Sequence, residues 1–391
     1  MIIIKNANLI SMAEVNYEKR DIVIEGSKII DIQSNIDVSN YPNATIINAK
    51  KKFVTPGIVD PHCHIGIMEE IIKEGNDTNE MTNPIFPELR AIDGINPADG
   101  SFKSAVEDGI TTVVVGPGSA NPIGGTFTIM KTHGNTMEDM VIVEESAMKM
   151  ALGENPKRVY GSKDKTPQTR MGTAALIRES LIKAKDYYQK QQEYLKAKAN
   201  NQQDAKQPEF NMKLHSLMRV FDGMLVKIHA HRADDIMTAI RIKEEFNLNL
   251  TIEHCTEGHL VADKLAKYNV GAIIGPTLTS KSKPEVANKT FKSGKILSDN
   301  KVQFAIMTDH PVICIEDTLL QVGRFVREGL EELEALRAVT KYAAQINNID
   351  SRVGTIEVGK DADILIWSNH PLNHMAKPEY VLINGEIIVK K

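Results

Sequence analysis

The amino-acid sequence predicts an α/β protein: a (β/α)8 TIM-like barrel with a small β-sandwich domain built from both chain termini. Three observations carry this. Apolar strand-like runs alternate with helix-like stretches through the middle of the chain, the pattern of βα units around a parallel sheet buried on both faces. Roughly eight such units in roughly 300 residues suit a closed barrel better than an open sheet. Short strands with tight turns stand at both ends, each set too small to bury a core alone, so they are expected to pack together.

At the start, Ile2-Ile3-Ile4 and Leu9-Ile10 lead to Asp21-Ile22-Val23-Ile24, then Glu25-Gly26-Ser27-Lys28, then Ile29-Ile30-Asp31-Ile32. Gly26 tolerates the positive φ that a hairpin turn requires. At the other end, Asp363-Ile364-Leu365-Ile366-Trp367 and Val381-Leu382-Ile383 precede an Asn384-Gly385 turn. The expected division is residues 1–53 with 354–391 for the sandwich and 54–353 for the barrel. Between them lie the strand runs Ile110–Val115, Met140–Val143, Met224–His229, Leu250–His254, Ala272–Gly275 and Phe304–Asp309, with helical patterns such as Ser101–Glu107, Ala233–Phe246 and His259–Tyr268. A Lys/Gln/Tyr-rich stretch at about 172–220 does not fit an ideal barrel. It is read as an exposed helical hairpin inserted in one βα connection, serving as a lid, a homo-oligomer contact or simply a solvated excursion.

Composition excludes several classes of function. A chain of 391 residues with net charge −4 makes no electrostatic case for nucleic acid or an anionic membrane as partner. Its three cysteines form no CxxC pair and no disulfide framework. No apolar run is long enough to span a bilayer, and the first residues lack the pattern of a secretory signal, so a cytoplasmic protein is expected. Nothing matches a phosphate-cradling loop or a dinucleotide fingerprint.

Chemistry in a barrel sits at the C-terminal ends of its strands, and several of these strands end in metal-ligand residues. The first, Val54-Thr55-Pro56-Gly57-Ile58-Val59-Asp60-Pro61-His62-Cys63-His64, delivers two histidines one residue apart. Side chains alternate along a strand, so His62 and His64 share a face, about 7 Å apart at the backbone, and Cys63 points away. A later strand ends in His229-Ala230-His231, another in Glu253-His254, and the last in Thr308-Asp309-His310. Eleven histidines scattered at random would rarely fall at so many strand ends. Parity places Leu225, Lys227, His229 and His231 inward. Of these, His229 is taken as a ligand and His231 as a neighbour to the ligands or to substrate. His254 is preferred to Glu253 because Leu250 and Ile252, on its face, suit a barrel interior. Asp309 completes the set. Cys255 and Cys314 are expected to be small buried residues.

With these residues assembled, the chain resembles the amidohydrolase superfamily of metal-dependent hydrolases. The resemblance rests on Pro56–His64, His229, His254, Asp309 and the near-terminal Val358-Gly359-Lys360-Asp361-Ala362-Asp363-Ile364-Leu365-Ile366. Gly116-Pro117-Gly118-Ser119-Ala120-Asn121-Pro122-Ile123-Gly124-Gly125 and Ala151-Leu152-Gly153-Glu154-Asn155-Pro156-Lys157-Arg158 are similar to a branch related to imidazolonepropionases. The resemblance implies one or two divalent ions, usually Zn2+, held by His62, His64, His229, His254 and Asp309. Two-ion members add a bridging ligand from the fourth strand, a carboxylated lysine or a glutamate. Lys149 and Glu154 compete for that place. They have opposite parity, and Glu154, later in the chain and anionic without modification, is preferred; a one-ion site using neither stays open.

The implied activity is hydrolysis of an amide or cyclic-amide carbon–nitrogen bond of a small molecule by metal-activated water. Asp309 serves as general base and then acid, and His231 supports the developing oxyanion or orients a ligand. Arg170 is a candidate for a substrate carboxylate, or else for a surface ion pair. Asn121, Gly124 and Gly125 are read as a pocket loop after a strand end. Two alternatives stand beside this: a one-ion deaminase or imidazolonepropionase-like ring opener, and a non-catalytic barrel scaffold. The scaffold is disfavoured by the retained ligand set.

Overall fold

The computed structural model describes residues 1–13, 18–70, 75–202 and 205–391. Five strands come first: β1 (Ile2–Leu9), β2 (Glu18–Glu25), β3 (Lys28–Gln33), β4 (Thr45–Asn48) and β5 (Phe53–Pro56). Eight follow: β6 (Ile58–Cys63), β7 (Ile110–Val115), β8 (Ile123–Lys131), β9 (Val141–Ala151), β10 (Leu225–Ala230), β11 (Leu250–His254), β12 (Gly271–Ile274) and β13 (Phe304–Ile306). The last three are β14 (Ile364–Trp367), β15 (Pro378–Ile383) and β16 (Glu386–Lys390).

Strands β6 to β13 pair in sequence order as one sheet. Its two edges meet where the backbone N–H of Asp309 donates to the carbonyl of His62 (3.2 Å) and that of His64 to the carbonyl of His310 (2.9 Å). The barrel class expected from the sequence is therefore the one found. It departs from the ideal at β8, which runs antiparallel to both β7 and β9. The connections 116–122 and 132–140 are too short for helical crossovers and hold only the helix Met137–Met140, so this part of the wall is a meander. Gly124 and Gly125 thus stand inside a buried strand and not in the expected loop. Gly125 adopts φ +109°, and a Cβ there would lie 2.5 Å from the carbonyl oxygen of Leu89, so the position requires glycine.

Alternation decides what each face buries. Val59, Val114, Phe127, Ile129, Ala147, Leu225, Ile273, Ala305 and Met307 form a core inside the barrel. Val226, Ile228, Ala230, Leu250, Ile252 and Met148 pack instead in the layer shared with the helices. Full burial of a side chain such as Phe127 contributes about 1.5–3 kcal/mol.

Both termini contribute to a second sheet, ordered β16-β15-β14-β5-β1-β2-β3 with β4 beside β1. The expected sandwich is hydrogen-bonded as this single eight-stranded sheet. It has its own core of Ile4, Ile22, Ile24, Ile47, Val54, Ile364, Ile366 and Leu382. It is tied to the barrel by Lys131 at the end of β8, whose Nζ lies 2.5 Å from Asp363 and 3.1 Å from Asp361.

The expected insertion is one 30-residue helix, Arg170–Ala199, followed by the helix Met212–Met218; residues 203 and 204 lie outside the described residues. Its N-terminus is capped by Thr169, whose hydroxyl accepts from the N–H of Gly172 (3.0 Å). Ala174, Ile177, Leu181, Ala184 and Tyr187 recur at helical spacing and are buried, and past Tyr187 no residue of the helix is fully buried. Among the described residues no helix is long and apolar enough to cross a membrane.

Candidate metal centre and active-site cavity

The strand ends bring five imidazoles and one carboxylate together. His62 stands near the end of β6 and His64 just past it, His229 in β10 with His231 just past it, and His254 closes β11. Asp309 lies on the turn after β13. His254 and Asp309 both take left-handed backbone conformations, φ +68° and φ +57°. This local break explains His254. Within β11, Thr251 and Glu253 face inward and Leu250 and Ile252 pack outward, the reverse of the expected parity. His254 nevertheless turns toward the centre because the strand's alternation ends at its left-handed residue.

Every imidazole is oriented by a partner at Nδ1. His64 donates to the carbonyl of Gly116 (2.7 Å), His254 to the carbonyl of Gly275 (3.0 Å) and His62 to the carboxylate of Glu253 (2.5 Å). His229 pairs with the hydroxyl of Ser119 (2.9 Å) and His231 with that of Thr256 (2.7 Å). A carbonyl or carboxylate partner requires the proton on Nδ1, which leaves the Nε2 lone pair aimed at the centre. Donor atoms of His229, His231 and His254 lie within 4.8 Å of one another, as do those of His62, His254 and Asp309. The Oδ1 of Asp309 is 3.3 Å from His64 Nε2 and 3.7 Å from His62 Nε2.

Electrostatics favour neutral rings. Burial holds His62, His229, His231 and His254 well below the ordinary imidazole pKa, and neighbouring cations and imidazoles add to the effect. His231 Nε2 is buried with no hydrogen-bond partner; its nearest carboxylate oxygen, Oε1 of Glu285, is 3.6 Å away. Neutral nitrogen donors with fixed outer partners, a carboxylate among them and one orphaned lone pair fit a divalent cation of the zinc class.

The two fourth-strand contenders separate cleanly. Lys149, on β9, is fully buried with Nζ 3.5 Å from His62 Nε2. Burial lowers its pKa to about 8, with Glu253 and Asp309 acting in the opposite direction. β9 ends at Ala151, and Glu154 opens the helix Glu154–Gly161. Its carboxylate is partly exposed and lies 3.7 Å from Arg170, so the structure does not bring Glu154 into the cluster. Lys149 pairs in register with Lys227, two residues before His229, and that register carries it inward.

The expected substrate contacts lie elsewhere. Arg170 donates through Nε to both oxygens of Asp235 (3.1 and 3.0 Å), its alternative as an ion-pair residue. Asn121 is structural: its amide donates to the carbonyl of Glu80 (2.8 Å) and its oxygen accepts from Tyr160 (2.6 Å). Gly125 is buried in β8. Cys63 and Cys255 are buried as expected, but Cys314 is exposed, because it sits on the loop after Asp309.

A cavity of about 460 Å³ opens on the cluster, within the range of small-molecule sites. His64, His229, His231, His254 and Asp309 line it, together with Asn155, Arg158, Lys283 and Lys289 and the apolar Met68, Val286 and Val312. The last seven were not among the expected residues. Arg158 falls in a run singled out from the sequence, but nothing in its spacing says that it turns toward the cluster.

Residues 53–388 match the model of the amidohydrolase family. The solved structure of an amidohydrolase from Thermotoga maritima MSB8 is 38% identical, with a TM-score of 0.92 over 100% of both chains. Amidohydrolase tasK of Hapsidospora irregularis is 30% identical over 388 residues, which are 93% of this chain and 39% of that one, so the chain spans well under half of that relative. An imidazolonepropionase of Mesorhizobium japonicum is 23% identical over 364 residues, covering 83% of this chain and 80% of its own.

Proposed function

Since the chain belongs to the amidohydrolase family, we propose that it is a metal-dependent hydrolase cleaving an amide or cyclic-amide carbon–nitrogen bond in a small molecule. The observation that carries this reading is the convergence of five Nδ1-anchored imidazoles and Asp309 in one cluster, of which four imidazoles and Asp309 line the cavity.

His62 and His64, whose Nε2 atoms lie 3.7 and 3.3 Å from Asp309 Oδ1, would hold one divalent ion with Asp309, and Lys149 stands beside them. His229, His254 and His231 would hold a second. Such an ion lowers the pKa of water from ~15.7 toward ~7 and polarises a carbonyl. The chain supplies the rest. Asp309 lines the cavity next to His64, where its carboxylate takes a proton from the attacking water and passes it to the departing nitrogen, as general base and then acid. Lys149, with its pKa lowered to about 8, has a sizeable neutral fraction above neutral pH. In that form its amine can add carbon dioxide and release a proton, giving a carboxylate against His62. His231, anchored by Thr256, completes the second ligand trio; with a single ion bound it instead donates to the substrate's oxygen.

The deciding experiment is metal analysis of the full chain expressed with zinc, followed by chelation, restoration and assay on a panel of N-acyl amino acids, cyclic ureides and dipeptides. Metal-dependent hydrolysis is expected. A folded protein that takes up no metal would sink the reading. A second reading, a one-ion deaminase or ring-opening hydrolase, rests on the His62–His254–Asp309 trio being complete without Lys149. One ion per active chain, unchanged in Lys149→Met, would select it.

A further inference from the structure

The charges around the cavity do not balance. Among the described residues that line it, Asp309 is the one carboxylate, and it is committed to the imidazole cluster. Against it stand Arg158, Lys283 and Lys289. Lys283 is compensated by Glu285, 2.6 Å away and fully buried. Lys289 is not: its Nζ donates to the carbonyl of Thr279 (2.6 Å), the hydroxyl of Thr279 (2.5 Å) and the carbonyl of Ser280 (3.0 Å), all uncharged. Arg158 is exposed at the rim, and its guanidinium makes no hydrogen bond or ion pair among the described residues. A free guanidinium and a lysine held only by neutral oxygens thus share one cavity with the candidate centre.

Resting on the hydrolase reading, we infer that the substrate bears a free carboxylate, bound by Arg158 with Lys289 as supporting charge, and is an N-acyl amino acid with an aliphatic portion. A planar guanidinium with unused donors matches a carboxylate bidentately. Met68, Val286 and Val312 give the same cavity an apolar wall for the aliphatic part. The carboxylate site expected at Arg170 is thereby moved to Arg158, because Arg170 is consumed by Asp235.

The test measures equilibrium binding of N-acetyl-leucine and its uncharged analogue N-acetyl-leucinamide to the zinc-loaded full chain. Three variants accompany it: Arg158→Met, Lys289→Met and, as a charge control outside the cavity, Arg178→Met. The carboxylate probe is expected to bind at least tenfold tighter than the amide. Arg158→Met should reduce that preference to within threefold, Lys289→Met should weaken it, and Arg178→Met should leave it intact. The exposed Arg158 side chain makes no hydrogen bond or ion pair among the described residues, so its replacement is not expected to threaten the fold. Equal binding of the two probes, no binding of either, or a preference that survives Arg158→Met overturns the inference. Displacement by inorganic phosphate in preference to acetate overturns the carboxylate assignment. Hydrolysis of both probes is followed separately. Carboxylate preference without turnover leaves this inference standing and counts against the hydrolase reading, whereas turnover without preference does the reverse.

Discussion

The carboxylate of Glu253 lies 2.5 Å from Nδ1 of His62. It also accepts from the hydroxyl of Thr251 (2.7 Å) and sits 3.5 Å from Nζ of Lys227, all fully inside the barrel or nearly so. Glu253 stands beside the expected ligand His254 and outside the ligand set, yet it sets how a ligand points. Replacing it by Gln is expected to weaken metal binding about 10- to 100-fold, the usual cost of removing an outer partner of a metal-bound histidine. Competition with a chromogenic chelator measures this. Wild-type affinity in a folded Glu253→Gln protein would show that the ring needs no such support.

Lys149 and Glu154 make opposite predictions. Lys149→Met should lower the metal content of the purified protein, since its amine stands against His62, while Glu154→Gln should leave it unchanged. The methionine is close in volume and removes a buried amine, so the fold is expected to survive. Elemental analysis of both proteins decides between them, and metal loss in Glu154→Gln alone would reverse the assignment.

Asp309→Asn keeps the shape of the side chain but not its ability to accept a proton. On a substrate that the wild type turns over, kcat should fall about 10²- to 10⁴-fold, the usual contribution of a general acid–base group. Melting by circular dichroism should show the fold intact. A kcat within threefold of wild type would remove Asp309 from the proton path.

Stability should depend on pH through the join between sheet and barrel. Burial alone would raise the Asp361 carboxyl. The charge of Lys131 and hydrogen bonds from Lys28 and Arg352 outweigh it and hold the group below its ordinary value. A carboxyl lowered by folding contributes stability that is fully present above its unfolded value, about 3.9, and lost as pH falls through the folded one. Urea midpoints between pH 7 and pH 3 should therefore fall less steeply in Asp361→Asn than in wild type. At pH 7, Lys131→Met, which strips a buried cation from Asp361 and Asp363, is expected to cost roughly 3–5 kcal/mol.

Much of the barrel is legible from sequence because its signals are local. β-branched runs such as Ile110–Val115 and the amphipathic Ala233–Phe246 state their own conformation. The strand ends carrying His62, His64, His229 and Asp309 are legible for the same reason. β8 is not legible because Ile123-Gly124-Gly125 reads as a turn; only pairing between β7 and β9 makes its glycines strand residues.

Read alone, the chain determines which residues arrive at the barrel's ligand-bearing edge. A strand's period of two is written in residue order, and donors at its end follow from it. Tertiary structure decides which way each donor points once the strand stops. His254 turns inward at φ +68°, where alternation predicts the opposite face, and Lys149 reaches His62 through its register with Lys227 while Glu154 has already left for a helix. It also decides that Arg170 is taken by Asp235 and that Arg158, at the cavity rim, has no ion-pair partner among the described residues. Past the end of a strand, side-chain direction depends on individual backbone dihedrals and on which distant element supplies the partner, and neither is encoded in spacing along the chain.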